Sequence, residues 1–196
     1  MGFPKSVRPG TGIKGMDIVM SNLNREIKKL EVNSLQGTLE AAVIVRRDMD
    51  NTPPLIPIDT GNLRASWFTV AGLRIGKESA GGHKLNFKGK DAGTMEAERA
   101  LAITEYKAQA TALLSQKKLV VFLGFSANYA VFVHEMVDAN FAGDESKIKR
   151  TKKGKVTQET KKYTRRAGAG AKFFEAALKR NAPIILQTIG KKARIK

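Results

Sequence analysis

Three prolines within five residues, in "NTPPLIPIDTG" (51–61), do most to constrain what this chain can fold into. Proline has no backbone donor and bars the helical region to the residue before it, so a helix arriving from upstream ends at Pro53, Pro54 and Pro57. Upstream the pattern is helical. From Met16 to Asp50, Ile18, Leu23, Ile27 and Leu30, then Leu35, Leu39, Val43 and Ile44, recur near the helical period. Asn33-Ser34 either caps a second helix or only dents a single long one. Downstream, "SWFTVAGLRI" (66–75) has the aromatic and β-branched content of a strand, with "HKLNFKG" (83–89) as its hairpin partner across "GKESAGG".

Residues 94–115 are strong helix formers, with Thr94 placed to cap and Glu96 and Glu98 in the first turn. The apolar stripe there is weak and mostly alanine, which predicts an inserted helix lying on the surface or on a partner. "KKLVVFLGFS" (117–126) reads as a central strand buried on both faces. Tyr129, Phe132, Val133 and Met136 have the spacing of a short helix. The last amphipathic segment, 171–190, sets Phe174, Leu178, Ile185 and Ile189 on one face, with Pro183 kinking or restarting it and Asn181 as a cap. The fold class expected is α+β: a long N-terminal helix, a small, mostly antiparallel sheet and a C-terminal amphipathic helix. A single domain spans 16–190, carrying the inserted helix at 91–116 and a basic loop at 144–167. A flexible basic arm (1–15) and a basic tail (191–196) flank it.

Charge narrows the function. The 196 residues carry 35 Lys and Arg against 18 Asp and Glu, a formal net charge of +17, which implies a polyanionic partner: nucleic acid or an acidic protein surface. The excess is concentrated in "SKIKRTKKGKVTQETKKYTRR" (146–166), too poor in apolar residues to order itself alone and therefore expected as a mobile loop or hairpin. Its candidate contacts to DNA phosphates or to an acidic partner are Lys147, Lys149, Arg150, Lys152, Lys153, Lys155, Lys161, Lys162, Arg165 and Arg166. Tyr163 is the run's only aromatic, so the expected contact is with phosphate or an acidic surface and not with stacked bases. The N-terminus lacks the apolar stretch of a signal peptide and "LVVFLGF" (119–125) is too short to span a bilayer, so a soluble protein of a cytoplasm-like compartment, with no membrane partner, is expected.

The motifs for chemistry are fragments. With no cysteine and two distant histidines, His83 and His134, neither a thiolate nor a histidine metal site is expected. His134-Glu135 lacks the second histidine of a zinc-protease helix, "GFSAN" lacks the second glycine of a nucleophile elbow, and "AGAGAK" lacks the spacing of a phosphate-binding loop. Asp48 and Asp50 have no further carboxylates near them in a metal-ligand pattern. Asp59-Thr60-Gly61 could be the catalytic loop of an aspartic protease, which needs a dyad, hence a homodimer, and strands on both sides. Prolines crowd the side where a strand is needed. The turn reading accounts for every residue: Asp59 or Thr60 accepts backbone donors of a helical turn opening at Gly61, and Leu63 and Trp67 anchor the chain beyond it. Neither an enzyme nor a cofactor is expected.

Three stretches in order, "PLIPIDTGNLRASW", "GFSANYAVFVHE" and "GAKFFEAALKRNAPIIL", carry a resemblance that covers residues 16–75 and 117–190. The chain resembles the tail-completion or head–tail joining (neck) proteins of long-tailed bacteriophages, the minor tail protein Z group. Pro57, Asp59, Thr60, Gly61 and Leu63 match that family's turn after the first helix; Tyr129, Ala130, Phe132, Val133 and Glu135 match its second element; Phe173, Phe174, Ala177 and Leu178 match its late helix. The sequence departs from the family where Met136-Val137 replace a common glycine, and in the two insertions at 94–115 and 146–166. The resemblance implies a non-catalytic virion protein, assembled in the host cytoplasm as a homo-oligomeric, hexameric ring. That ring would join tail terminator or tail-tube proteins to head-completion or portal-side proteins, with DNA touched through phosphates. A nonspecific nucleic-acid-binding protein, nucleoid- or ribosome-associated, is the alternative.

Overall fold

The computed structural model describes residues 15–73, 75, 86–139, 141, 146–150, 156–160 and 166–194. The elements are α1 (Met16–Asn51), α2 (Asn62–Ala65), β1 (Trp67–Ala71), α3 (Ala92–Ser115), β2 (Val121–Phe125), α4 (Ala130–Glu135), β3 (Ser146–Arg150), β4 (Val156–Thr160) and α5 (Phe173–Lys192). The fold is α+β, with a long N-terminal helix, a small antiparallel sheet and a C-terminal helix.

The sheet is the middle layer. β1 and β2 pair antiparallel with Trp67 opposite Phe125 and Ala71 opposite Val121. Because side chains alternate across a strand, Phe68 and Phe122 share one face and Trp67 and Phe125 the other. α3 covers the first face: Tyr106 stacks on Phe68 at 5.3 Å between ring centroids and lies 5.1 Å from Phe122. Arg99 also donates from Nε and Nη2 to the Trp67 carbonyl, 3.2 Å each. The second face meets the core, where Trp67 and Phe125 touch edge to face at 5.2 Å and Phe125 reaches Phe173 at 5.7 Å.

Several expectations need correction. The partner of β1 is β2, not 83–89: residues 86–89 are irregular, and 83–85 lie outside the described residues. The strand buried throughout is β1; β2 is only half-buried, because α3 lies mainly against β1. α3 is a surface helix, as expected: Ala110 is its one buried residue, and the helix lies on the outer face of the sheet. It starts at Ala92, and no side chain caps it, Thr94 included.

α1 is one unbroken helix of 36 residues, about 54 Å long, so Asn33-Ser34 neither caps nor interrupts it. α5 runs beside its second half, and the two come so close that a Cβ on Gly37 would stand 3.0 Å from both Ile189 Cα and Lys192 Cβ. Lys192, assigned to the basic tail, belongs to α5 and pairs with Glu40 at 2.8 Å. Pro183 does not end α5. It sits on the exposed side, where water can serve the carbonyl left without its donor. Asn181 is buried and donates to the Ala177 carbonyl at 2.8 Å, so it is an interior residue and not a cap. The most buried line of α5 is Phe173, Ala177 and Asn181, which leaves the expected Leu178 exposed.

β3 and β4 form an antiparallel hairpin with Lys147 opposite Glu159 and Arg150 opposite Val156. Among the described residues no helix is long and apolar enough to cross a membrane.

Candidate functional site

The turn that the prolines force is built by backbone bonds to distant segments. Leu55 donates to the Gly168 carbonyl at 2.8 Å and receives the Gly170 N–H at 3.2 Å, so the stretch before α5 runs parallel to it. Ile56 folds back onto the Met49 carbonyl at 3.0 Å. Gly61 then takes φ 89°, a left-handed value that favours glycine, and opens α2. Of the two candidate acceptors, it is the Thr60 hydroxyl that receives a backbone donor, from Asn62 at 3.4 Å, a long bond. Leu63 and Trp67 are buried.

The residue that holds this turn carries no signal in the sequence motif. Asn62 is buried, and its amide makes both bonds to the Lys88 backbone, Nδ2 to O and Oδ1 from N, each 2.8 Å. A side-chain amide is one of the few groups able to satisfy a peptide donor and acceptor together. Asn62→Ala is expected to cost about 1–3 kcal/mol by orphaning both, whereas Asp59→Asn should change stability by less than about 0.5 kcal/mol. Urea titration of the two variants checks the contrast.

The three segments carrying the sequence motifs converge. Leu63 and Trp67 from the first, Ala130 with Tyr129 and Val133 from the second, and Phe173 and Ala177 with Phe174 from the third pack into one cluster with Val45, Met49 and Ile56. Phe132 and Met136, expected on the same helical stripe, point away and are exposed. α4 has only six residues, fewer than two turns, so Ala130 and Val133 face the core while Val131 and Phe132 face away.

Two charged clusters tie the ends of the helices. Asp50, at the end of α1, receives Arg46 at 2.8 Å, Arg64 of α2 at 2.9 Å and Arg166 at 3.5 Å. Arg166 also donates to the Asp50 carbonyl. Burial, then the neighbouring Arg64 and Arg166 charges, push the Arg46 guanidinium down, against the pull of Asp50 upward. Arg46 lies over the Trp67 ring at 5.9 Å. Arg166 was expected among the residues facing DNA or an acidic partner; it is instead occupied within the fold. The second cluster joins α5 to the end of α1: Arg180 donates to Asp48 Oδ2 at 3.1 Å, to the Pro53 carbonyl at 2.8 Å and to the Thr52 carbonyl at 3.2 Å.

Desolvation is the largest single influence on Asp48 and raises its pKa. The hydrogen bonds from Arg180, Asn181 and Thr52 together outweigh it and hold the carboxyl below its usual value. A depressed carboxyl contributes stability that is present above its unfolded value of about 3.9 and lost as pH falls through the lower folded value. Thermal melts from about pH 5 down to about pH 2 should therefore fall more steeply for the wild type than for Asp48→Asn.

His134 Nδ1 lies 2.7 Å from Glu135 Oε1, its ring packs edge-on against Phe173 at 5.1 Å, and Nε2 is buried without a partner among the described residues. A cleft of about 230 Å³ is lined by His134 and Glu135 together with Phe125, Val131, Phe173 and Phe174. Lys172, the residue before α5, bonds Glu135; the Lys172 and then the His134 hydrogen bonds hold that carboxyl below its usual range. Among the described residues no group of three His, Cys, Asp or Glu could hold a metal ion.

Of the basic candidates, Lys147, Lys149 and Arg150 lie on β3, while Lys152, Lys153, Lys155, Lys161, Lys162 and Arg165 fall outside the described residues. The described residues also expose apolar side chains. None of residues 16–34 is buried, although this half of α1 carries Met16, Ile18, Val19, Met20, Leu23 and Ile27. A second exposed patch comprises Val131, Phe132, Met136 and Val137. No family model, curated protein or solved structure matches the chain.

Proposed function

We propose that this chain is a structural virion protein of the phage neck or tail, forming a homo-oligomeric, hexameric ring that completes the tail and joins it to the DNA-filled head. The observation that carries the reading is the ordered set of three motifs. It is supported by their meeting in one cluster: residues more than a hundred positions apart, Leu63 and Phe173, share a core. The role needs neither catalysis nor a cofactor. Tail-tube or tail-terminator proteins on one side and portal-side proteins on the other are the proposed neighbours.

The net charge of +17 favours a second contact, with DNA phosphates in the channel. It equally motivates the alternative, a nonspecific nucleic-acid-binding protein, nucleoid- or ribosome-associated. The two separate by experiment. Particles made without the neck protein should appear in electron micrographs as full heads beside finished, unattached tails, and purified protein should decorate tail ends. A dedicated DNA binder would instead ignore tails and bind DNA tightly, its log affinity falling by about 0.9 per phosphate contact for each decade of salt.

A further inference from the structure

We propose that the free edge of β2 binds an extended strand of a different protein, apolar at one end and acidic at the other, and adds it to the sheet. Ser126 donates to the Ser66 carbonyl at 2.9 Å, and this bond fixes the ladder. Hydrogen-bonded pairs alternate along antiparallel strands, so Phe68 and Gly124 exchange bonds, as do Val70 and Phe122. Val121, Leu123 and Phe125 therefore point their N–H and C=O groups away from β1. No backbone group of the described residues bonds them on that side. The far edge of β1 is shut in by contrast: Trp67, Thr69 and Ala71 are buried, and Arg99 takes the Trp67 carbonyl. β2 is half-buried, and its five residues include neither a charge nor a proline, the usual devices that keep an edge from pairing.

Backbone, cleft and charge together select the occupant. Outward donors and acceptors at every second residue are matched by an extended backbone and by little else. Gly124 and Phe125, at the end of β2, also line the cleft of about 230 Å³, whose aromatic walls are Phe173 and Phe174. Side chains alternate across a strand, so an added residue opposite Phe125 shares its face and reaches that cleft with a large apolar side chain. Strand addition with a side chain in a pocket is a general mode of peptide recognition. At its other end β2 is led by Lys117 and Lys118, both exposed, which favour carboxylates on the incoming strand. The described strands of this chain do not fit. β1 is buried, β3 has Lys147, Lys149 and Arg150 among its five residues, and β4 is followed by Lys161 and Lys162. With a net charge of +17, a second copy brings further positive charge to Lys117 and Lys118. The assignment does not rest on the neck reading.

The test uses the full chain and the end-blocked peptide Ser-Phe-Thr-Val-Thr-Val-Thr-Glu-Glu, which, laid antiparallel, sets Phe opposite Phe125 and its last Glu opposite Lys118. In the free protein the amide hydrogens of Phe122 and Gly124 should exchange slowly, and those of Val121, Leu123 and Phe125 at least about tenfold faster. The peptide should slow those three. Methylating the amide of its first valine, which faces Leu123, should weaken binding about tenfold or more, while methylating the threonine before it, whose N–H points away from β2, should not. Val121→Pro removes one outward donor at the first residue of the strand, a place that proline can occupy. That variant, and Val131→Glu at the exposed lip of the cleft, should each weaken binding by a similar factor with unchanged circular dichroism. Slow exchange at Val121, Leu123 and Phe125 in the free protein at every concentration means that the edge is already paired, and overturns the proposal. Protection that grows with protein concentration gives the edge to a second copy and overturns it too. So does a peptide that fails to bind, or that binds equally well with either amide methylated.

Discussion

Asp50→Ala lowers the unfolding free energy by about 3 kcal/mol, the largest loss expected from any single change at a charged residue here. The carboxylate is the shared acceptor for Arg46, Arg64 and Arg166, and its side chain is only 15% exposed. Truncating it leaves three guanidinium groups facing one another. Arg46, at 14% exposed, suffers most, because burial already disfavours its charge. Arg64 is 43% exposed and is solvated in exchange, so Arg64→Ala should cost no more than about 1 kcal/mol. Urea titrations with unchanged slope measure both values. A loss below about 1 kcal/mol for Asp50→Ala would mean that the cluster behaves as a surface ion pair.

Phe173→Ala should cost about 3–5 kcal/mol. Its ring is buried at the junction of β2, α4 and α5, edge to face with Phe125 at 5.7 Å and with His134 at 5.1 Å. Truncation opens a cavity that neither the strand nor α5 can easily fill, because Leu55 and Gly170 tie the entry of α5 to the proline turn. Phe174→Ala, next in sequence but only partly buried, should cost less by roughly 1 kcal/mol or more. Equal losses at the two positions would contradict the burial line through Phe173, Ala177 and Asn181. With typical domains stable by only about 5–15 kcal/mol, either Phe173→Ala or Asp50→Ala should also lower soluble yield.

How much was legible depends on which interactions are local. The stop after α1, the turn at Gly61 and the helical character of 94–115 and 173–192 come from proline, glycine and helix propensity, which act over a few residues. Apolar content located β1 and β2 but could not rank their burial. That depends on what lies alongside each strand, and α3 and the core happen to enclose β1. Alanine-rich α3 shows the same limit: a weak stripe reads as uncommitted, yet small side chains are what allow close approach to a sheet.

The candidate site was less legible. In the sequence, Asp48 and Asp50 drew notice only to be set aside as metal ligands, although Arg46 four residues before Asp50 was a signal for an ion pair on one helix face. Arg64, Arg166 and Arg180 complete their clusters from as far as 132 positions away, and no local pattern announces that. By itself, then, the sequence determined that α1 stops at the prolines, that the chain is α+β, and that it carries a large positive charge. Only the tertiary structure decided which half of α1 is covered, which phenylalanine of the Phe173-Phe174 pair is central, and that Arg166 serves the fold. Hydrophobic periodicity states that a face must be buried; what buries it, and how far along, is settled when α5 packs beside α1 and ends at Gly37.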